Sequence, residues 1–186
     1  MTSTRPPVGL GDERYQLGVC IANRPPFMGL GELASCRALV SGEIKAIGDA
    51  CGNGWRKVFN VYAKLIWAMA ADEVIKKALP AVAAVSQFDS WQAYRDALLL
   101  QPDCGTALLF SSPLEARPGP LYLVMGKGYG TAFSDVESGG LQLEWLSERF
   151  AIDRHRRLIV CPYFDYRQLS NQRIDELVVL TRSLCE

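Results

Sequence analysis

Residues 16–22 read QLGVCIA, a short apolar run bounded by turn-forming residues. A run of this length and continuous apolarity is typical of a strand with both faces buried. Residues 23–29 (NRPPFMG) cannot extend it, because Pro25 and Pro26 lack the backbone N–H that a neighbouring strand would need. The sequence therefore predicts a buried strand and, at its carboxyl end, a stiffened loop.

Three later apolar runs have the same character. They cover residues 106–110 (TALLF), 120–125 (PLYLVM) and 158–161 (LIVC), and each is followed by residues typical of loops. We predict a central strand at each of them. Residues 141–146 (LQLEWL) alternate well enough for an edge strand but could equally begin a helix through residue 150, and both alternatives stay open.

The helical signal is strongest over residues 55–71, where apolar side chains recur at the three-and-four spacing of an amphipathic helix. The sequence predicts two shorter helices over residues 72–79 and 90–100 and a last helix over residues 171–184. Residues 32–50 have a mixed pattern that is helical in parts.

The order of these elements is that of an α/β protein. Near-continuous apolar strands predict a three-layer fold with a mostly parallel central sheet and helices on both faces. The chain of 186 residues has the size of one domain. We predict a disordered N-terminal segment over residues 1–14 and a single α/β domain over residues 15–186. Ligands of such sheets bind outside the carboxyl ends of the strands, so the loops there form the candidate site.

The charge balance, the cysteine content and the lengths of the apolar runs limit which classes of function are expected for this chain. Twenty lysines and arginines balance twenty aspartates and glutamates, so no global field attracts nucleic acid or acidic lipid, and such binding needs a local patch. Six cysteines without a C-x-x-C pair and a single histidine predict no metal and no cofactor. The N-terminal region lacks the pattern of a signal peptide, and the apolar runs are too short to span a membrane, so we expect a cytoplasmic protein.

The first loop offers an amide, an arginine and an aromatic ring. We expect Asn23 to orient water or a base edge, Arg24 to line the site and Phe27 to stack on a ligand. The alternative is that the prolines only end the strand and that Phe27 packs into the core.

Two further loops carry small and polar residues. Residues 126–130 (GKGYG) suit an anion, since Gly126 lets backbone N–H groups approach it and Lys127 adds charge. The loop matches neither G-x-x-x-x-G-K-S/T nor G-x-G-x-x-G, so a nucleoside triphosphatase is not expected, and a flexible turn is the alternative. Ser111 and Ser112 offer a hydrogen-bonding surface, or only a turn.

The last loop, residues 161–167 (CPYFDYR), gathers three aromatic residues, a carboxylate and an arginine. Tyr163 beside Arg167 suits stacking on a base and contact with a phosphate. In the alternative, the aromatic residues cover the end of the sheet and Asp165 pairs with Arg167.

Nucleophilic catalysis is poorly supported by the sequence. A triad would have to use His155, which precedes the last strand and so lies at its amino end, away from the candidate loops. A thiol nucleophile at Cys161 would need a lowered pKa, and no histidine lies near it in the sequence.

In outline the chain resembles the uracil-DNA glycosylase superfamily. Its members have a strand followed by G-x-D-P-Y or G-x-N-P-G, a strand ending near an Asn, a strand ending in Gly, and a last strand followed by H-P-S-P-L. Here residues 21–27 (IANRPPF), 123–127 (LVMGK) and 161–164 (CPYF) would occupy the first and the last two motifs. Identity is confined to Asn23, Pro25, Gly126 and Pro162.

The departures from that pattern concern the chemistry. Cys161 stands where the motif has histidine, Asn23 where many members have the aspartate that activates water, and Ser111 or Ser112 where the base-reading Asn lies. The resemblance implies that Asn23 could still position a water. Without the histidine, the group that stabilises the developing anion on the base is missing.

We therefore expect a protein that binds a nucleobase, nucleotide or DNA in the cleft at the strand carboxyl ends, and we leave open whether it hydrolyses an N-glycosidic bond. The alternative is a non-catalytic protein-interaction or structural module. The expected catalytic residue is Asn23, and the expected binding residues are Arg24, Phe27, Ser111, Ser112, Gly126, Lys127, Cys161, Tyr163 and Arg167.

Overall fold

Strands from both halves of the chain form one sheet. The computed structural model describes residues 5–186, and within this range eight strands join in a mixed sheet. The strands are β1 (Gly9–Gly11), β2 (Leu17–Cys20), β3 (Cys36–Arg37), β4 (Thr106–Leu109), β5 (Leu121–Met125), β6 (Glu144–Trp145), β7 (Ala151–Asp153) and β8 (Leu158–Cys161).

The strand order is β3-β1-β4-β2-β5-β8-β7-β6. The four adjacent strands β4, β2, β5 and β8 are parallel, and β2 lies between two of them, with Val19 paired to both Leu108 and Leu123. These are the four runs that the sequence predicts as central strands. Towards the edges the pairing changes, because β1 is antiparallel to β4, and β7 is antiparallel to both β8 and β6. The protein is thus α/β with a mixed sheet.

Helices form parts of several connections between the strands. The long helix predicted from residue 55 is confirmed and begins two residues earlier, and the helices predicted near residues 72, 90 and 171 are also present. Two of these helices are capped at their N-termini by side chains. The Asp72 carboxylate accepts a hydrogen bond from the backbone N–H of Val74, and the Ser90 hydroxyl accepts one from the backbone N–H of Ala93. The helices are α1 (Glu43–Cys51), α2 (Asn53–Met69), α3 (Glu73–Ala78), α4 (Pro80–Ala83), α5 (Trp91–Ala97), α6 (Lys127–Thr131) and α7 (Asn171–Ser183).

The two faces of the sheet are covered differently. Along β5, Leu123 and Met125 face the large core that α1–α5 and α7 share, whereas Tyr122 and Val124 face the opposite side. On that second side the covering comes from Tyr129 of α6 and from the chain that follows it. The long helices therefore lie on one face, and within residues 5–186 the α-helix that packs on the second face is the five-residue α6.

The predicted disordered segment over residues 1–14 is wrong for β1, Gly9–Gly11, which pairs with β3 and β4. A short strand rich in glycine has no apolar pattern to reveal it. Glycine is needed because a Cβ at Gly9 or Gly11 would collide with the carbonyl oxygen of Leu108 or Thr106. The part of this prediction that concerns residues 1–4 lies outside the described residues.

The open alternative over residues 141–146 is settled in favour of an edge strand, because Glu144–Trp145 pairs with β7. For residues 5–186, every helix is too short or too polar to cross a membrane.

Candidate functional site

The loops that follow the four parallel strands lie at one edge of the sheet, since the strands point the same way. They begin after Cys20, Leu109, Met125 and Cys161. The backbone N–H of Gly126 donates to the carbonyl oxygen of Cys161 over 2.8 Å, which fixes the third loop to the fourth.

Two predicted site residues meet between the first and the last loop. The Tyr163 hydroxyl donates to Oδ1 of Asn23 over 3.4 Å. Partial burial raises the pKa of Tyr163, while this hydrogen bond acts in the opposite direction, so the hydroxyl stays protonated at neutral pH. The contact uses one of the two lone pairs of the amide oxygen of Asn23. The second lone pair and the amide N–H groups could still bind a ligand or a water.

The two other predicted site residues of the first loop, Arg24 and Phe27, make contacts within the protein that stabilise the loop. The guanidinium of Arg24 lies 5.3 Å from the ring centre of Phe110 and donates to the carbonyl oxygen of Gly31 over 2.9 Å. Phe27 is half-buried and packs against the helix-covered core. This geometry favours the alternative for Phe27, in which the ring packs into the core instead of stacking on a ligand.

The predicted serines are already engaged. The Ser111 hydroxyl accepts from the backbone N–H of Val8 over 2.6 Å, which ties the start of the chain to the end of β4. The Ser112 hydroxyl accepts from the backbone N–H of Leu114 over 3.2 Å at the start of a short 3₁₀ turn. Both groups therefore shape the backbone, and a ligand would have to compete for them.

Cys161 faces away from the loops. Its side chain is fully buried in the core under the long helices, and its Sγ lies 3.7 Å from the carbonyl oxygen of Val124. Burial raises the pKa of the thiol far above its usual range. A contact of this side chain with substrate and a role as nucleophile are both excluded by this position. His155 lies in the exposed turn before β8, at the amino end of that strand as expected.

The glycine-rich segment after β5 is a short helix, not the predicted loop. Gly126 has a φ of 105°, which favours glycine, and the chain then turns directly into α6. Gly130 lets this helix approach the sheet, since a Cβ there would lie 2.6 Å from Val160. The exposed ammonium of Lys127 lies 4.9 Å from the ring centre of Trp145 on the edge strand β6.

In the last loop, Asp165 accepts from the Lys57 ammonium over 2.8 Å and from the backbone N–H of Arg167 over 2.9 Å. The Lys57 hydrogen bond is the main reason that the pKa of Asp165 lies below its usual value. In the alternative interpretation of this loop, Asp165 would pair with the Arg167 side chain, but in the structure its ion pair is with Lys57. The Arg167 guanidinium is left to face the neighbouring cavity.

That cavity lies between the start of α6, the hairpin that joins β6 to β7, and the loop from β8 into α7, and it has a volume of about 210 Å³. Its lining contains four cationic side chains and one carboxylate. Lys127 and Arg167 were predicted from the sequence, whereas Arg149 and Arg173 were missed, because the hairpin and the helix that carry them looked like solvated surface. The lining residues are Lys127, Glu148, Arg149, Pro162, Arg167, Gln168 and Arg173.

A larger cavity of about 420 Å³ lies among α1, α2 and α5, away from the strand ends. Its cations already have partners within the protein. Asp49 accepts from both Lys45 and Arg56, and Arg95 donates to Asn60 and to Asp96. In the smaller cavity, the Arg173 guanidinium donates to the carbonyl oxygens of Arg167 and Gln168. Within residues 5–186, however, the four cations of this cavity form no salt bridge, so it is the stronger candidate for an anionic ligand, although its lining does not include Asn23 or Phe27.

In the described part of the chain, histidine, cysteine and carboxylate side chains do not gather in groups of three or more that could hold a metal ion.

Fold and site together define an α/β protein with a cationic cavity at the carboxyl edge of its parallel strands. The chain belongs to a family of unknown function, DUF6942, whose profile matches residues 8–182. No curated protein and no solved structure matches the chain.

Proposed function

We propose that the protein binds a nucleobase, nucleotide or DNA at the carboxyl edge of the parallel strands, with a phosphate in the cationic cavity. The observation that carries this proposal is that four cationic side chains and only one carboxylate line the same cavity of about 210 Å³.

Such a cluster is unexpected in a chain whose total charges balance. Cations held close together repel one another, and a bound anion relieves that repulsion. Arginine favours phosphate in particular, because its planar guanidinium can donate two parallel hydrogen bonds to phosphate oxygens. Three of the four cations that line the cavity are arginines, namely Arg149, Arg167 and Arg173.

The resemblance to the uracil-DNA glycosylase superfamily supports the same class of ligand. The order of elements along the chain agrees with that outline, from β2 and the loop of Asn23, through β4, to β5 ending at Gly126 and β8 ending before Pro162. In this proposal Asn23 positions the attacking water for hydrolysis of an N-glycosidic bond, beside Tyr163. Because Cys161 is buried, its side chain does not take the place of the motif histidine, which stabilises the developing anion on the base.

Binding is tested by fluorescence anisotropy with a labelled short DNA duplex, with and without a uracil or an abasic position, from low to physiological salt. We expect Lys127→Ala and Arg167→Ala each to weaken binding and to reduce the slope of log K against log salt by about 1. The matched control is Arg14→Ala, which removes an exposed arginine that precedes β2 and pairs with Asp103. Equal affinities for all three variants and the wild type would remove the proposal.

Hydrolysis is tested separately by a base-release assay on the uracil duplex. We expect Asn23→Ala to abolish release with little change in the melting temperature, since Asn23 is exposed. Unchanged release by this variant would remove Asn23 from the mechanism.

Two finer expectations also remain proposals, namely a three-layer fold and a cytoplasmic location. For the first, support comes from Tyr129 of α6, which packs on the face opposite the long helices. For the second, support comes from the six cysteines, all of which are free thiols, as is usual in a reducing compartment. Recovery of the tagged protein in a membrane or secreted fraction would contradict the location.

A further inference from the structure

An exposed indole lies beside the cationic cavity. Trp145 on the edge strand β6 is 39% exposed, and the next residue, Leu146, is 43% exposed. The ammonium of Lys127, which lines the cavity, lies 4.9 Å from the Trp145 ring centre. Glu148 and Arg149, a few residues further along the same hairpin, line the cavity as well.

The cavity is too small to enclose a whole nucleotide. Its volume of about 210 Å³ is below the roughly 300–1,000 Å³ of pockets that bury small organic ligands. A phosphate group fits there, but the base and sugar of the same ligand must lie outside, on the neighbouring surface. Trp145 provides an aromatic side chain on that surface, in contact with the cavity residue Lys127.

The cations are spread over three separate parts of the chain. Lys127 begins α6, Arg149 belongs to the hairpin between β6 and β7, and Arg167 and Arg173 come from the β8–α7 loop and from α7. Together with Glu148 they leave the lining with a formal net charge of +3 from four cations and one carboxylate, which exceeds the single negative charge of one phosphodiester and suits more than one phosphate of a strand.

We propose that the ligand of this site is single-stranded nucleic acid, with one unpaired base stacked on Trp145 and the adjacent phosphates held by Lys127 and the arginines of the cavity. This inference rests on the proposed function. Stacking platforms next to basic grooves bind single strands because every base has a π-face, whereas bases inside a duplex are stacked on their neighbours and cannot reach an indole. Trp145 therefore selects single strands over duplexes.

The test compares a labelled oligothymidylate with a duplex of equal length and with deoxythymidine monophosphate as competitor. We expect the single strand to bind more tightly than the duplex, and the mononucleotide to compete weakly. Trp145→Ala should weaken binding of the single strand about tenfold, and Trp145→Phe should restore most of it, since a phenyl ring also stacks. The matched control is Val179→Ala, which truncates an exposed apolar side chain on α7.

Tryptophan fluorescence gives a second readout. Oligothymidylate should quench the wild-type emission, and this quenching should be lost in Trp145→Phe, which keeps the other three tryptophans. Unchanged melting temperatures establish that the variants fold.

The outcomes separate the two proposals. If Lys127→Ala weakens binding but Trp145→Ala does not, or if duplex or mononucleotide binds as tightly as the single strand, the stacking inference is overturned and the phosphate site stands. If no nucleic acid binds even at low salt, the proposed function itself fails.

Discussion

At the residue scale, Cys161 shows how strand alternation decides which side chains reach a site. Val160 faces the side of the sheet that carries α6, so its neighbour Cys161 faces the core under the long helices. Its thiol is therefore sealed from solvent, although the chain leaves the sheet at the very next residue.

This burial predicts an order of cysteine reactivity. With a pKa raised by burial, the Cys161 thiol stays protonated at neutral pH and should react with iodoacetamide far more slowly in the native protein than after denaturation. Cys51, which is half-buried, should be alkylated well before it. Peptide mass spectrometry after timed quenching measures both rates, and native alkylation of Cys161 at the rate of Cys51 would contradict this structure.

A second prediction at this scale concerns Asp165. Its folded pKa is lowered, chiefly by Lys57, so the pair contributes stability that is present above the unfolded pKa of about 3.9 and is lost as the pH falls through the folded value. We expect Asp165→Asn to lower stability by about 1 kcal/mol or less at neutral pH, with the difference vanishing in acid. Melting curves across pH measure this, with the exposed Asp175→Asn as control. A deficit that persists in acid would point to lost packing instead.

At the scale of elements, α6 shows that a glycine-rich segment can form a helix although its sequence predicts a loop. Its sequence KGYGT has low helix propensity, so the pattern predicts a loop, yet the segment is helical. Glycine is selected here by contact with the sheet, because Gly130 packs directly on Val160. The helix in turn places Lys127 at the mouth of the cavity.

Two glycines of this one helix provide a matched pair of substitutions. A Cβ at Gly130 would lie 2.6 Å from Val160, whereas a Cβ at Gly128 meets nothing within 4 Å. We expect Gly130→Ala to destabilise the protein by about 1–3 kcal/mol, and Gly128→Ala to be neutral or slightly stabilising. Chemical denaturation measures both free energies of unfolding. Equal effects would show that α6 does not pack on β8 as described.

At the scale of the whole molecule, the position of β2 at the centre of the parallel strands sets the expected pattern of local stability. Backbone amides in β2 and β5 lie in buried, doubly paired strands, whereas β3 and β6 are two-residue strands at the edges. Hydrogen exchange followed by mass spectrometry should be slowest in the first pair and fastest in the second. Exchange in β6 as slow as in β5 would contradict this sheet order.

The sequence predicted the elements whose burial requires a regular pattern of apolar residues. Four buried parallel strands and the helix α2 have continuous or periodic apolar residues, and all were predictable. Strand β1 was not, because glycines packed against backbone leave no such pattern. For the site, Lys127 and Arg167 were predictable from loops after strands, while Arg149 became recognisable only once the hairpin that carries it was placed beside β8.

The most direct test of the central claim is to ask which arginines respond to a ligand. In NMR spectra of the guanidinium Nε–Hε groups, titration with oligothymidylate at low salt should shift the signals of Arg149, Arg167 and Arg173, which line the cavity. The signal of Arg14, an exposed arginine outside the cavity that pairs with Asp103, should stay in place. Shifts confined to arginines outside the cavity, or no shifts at all, would contradict a phosphate site at the carboxyl edge of the parallel strands.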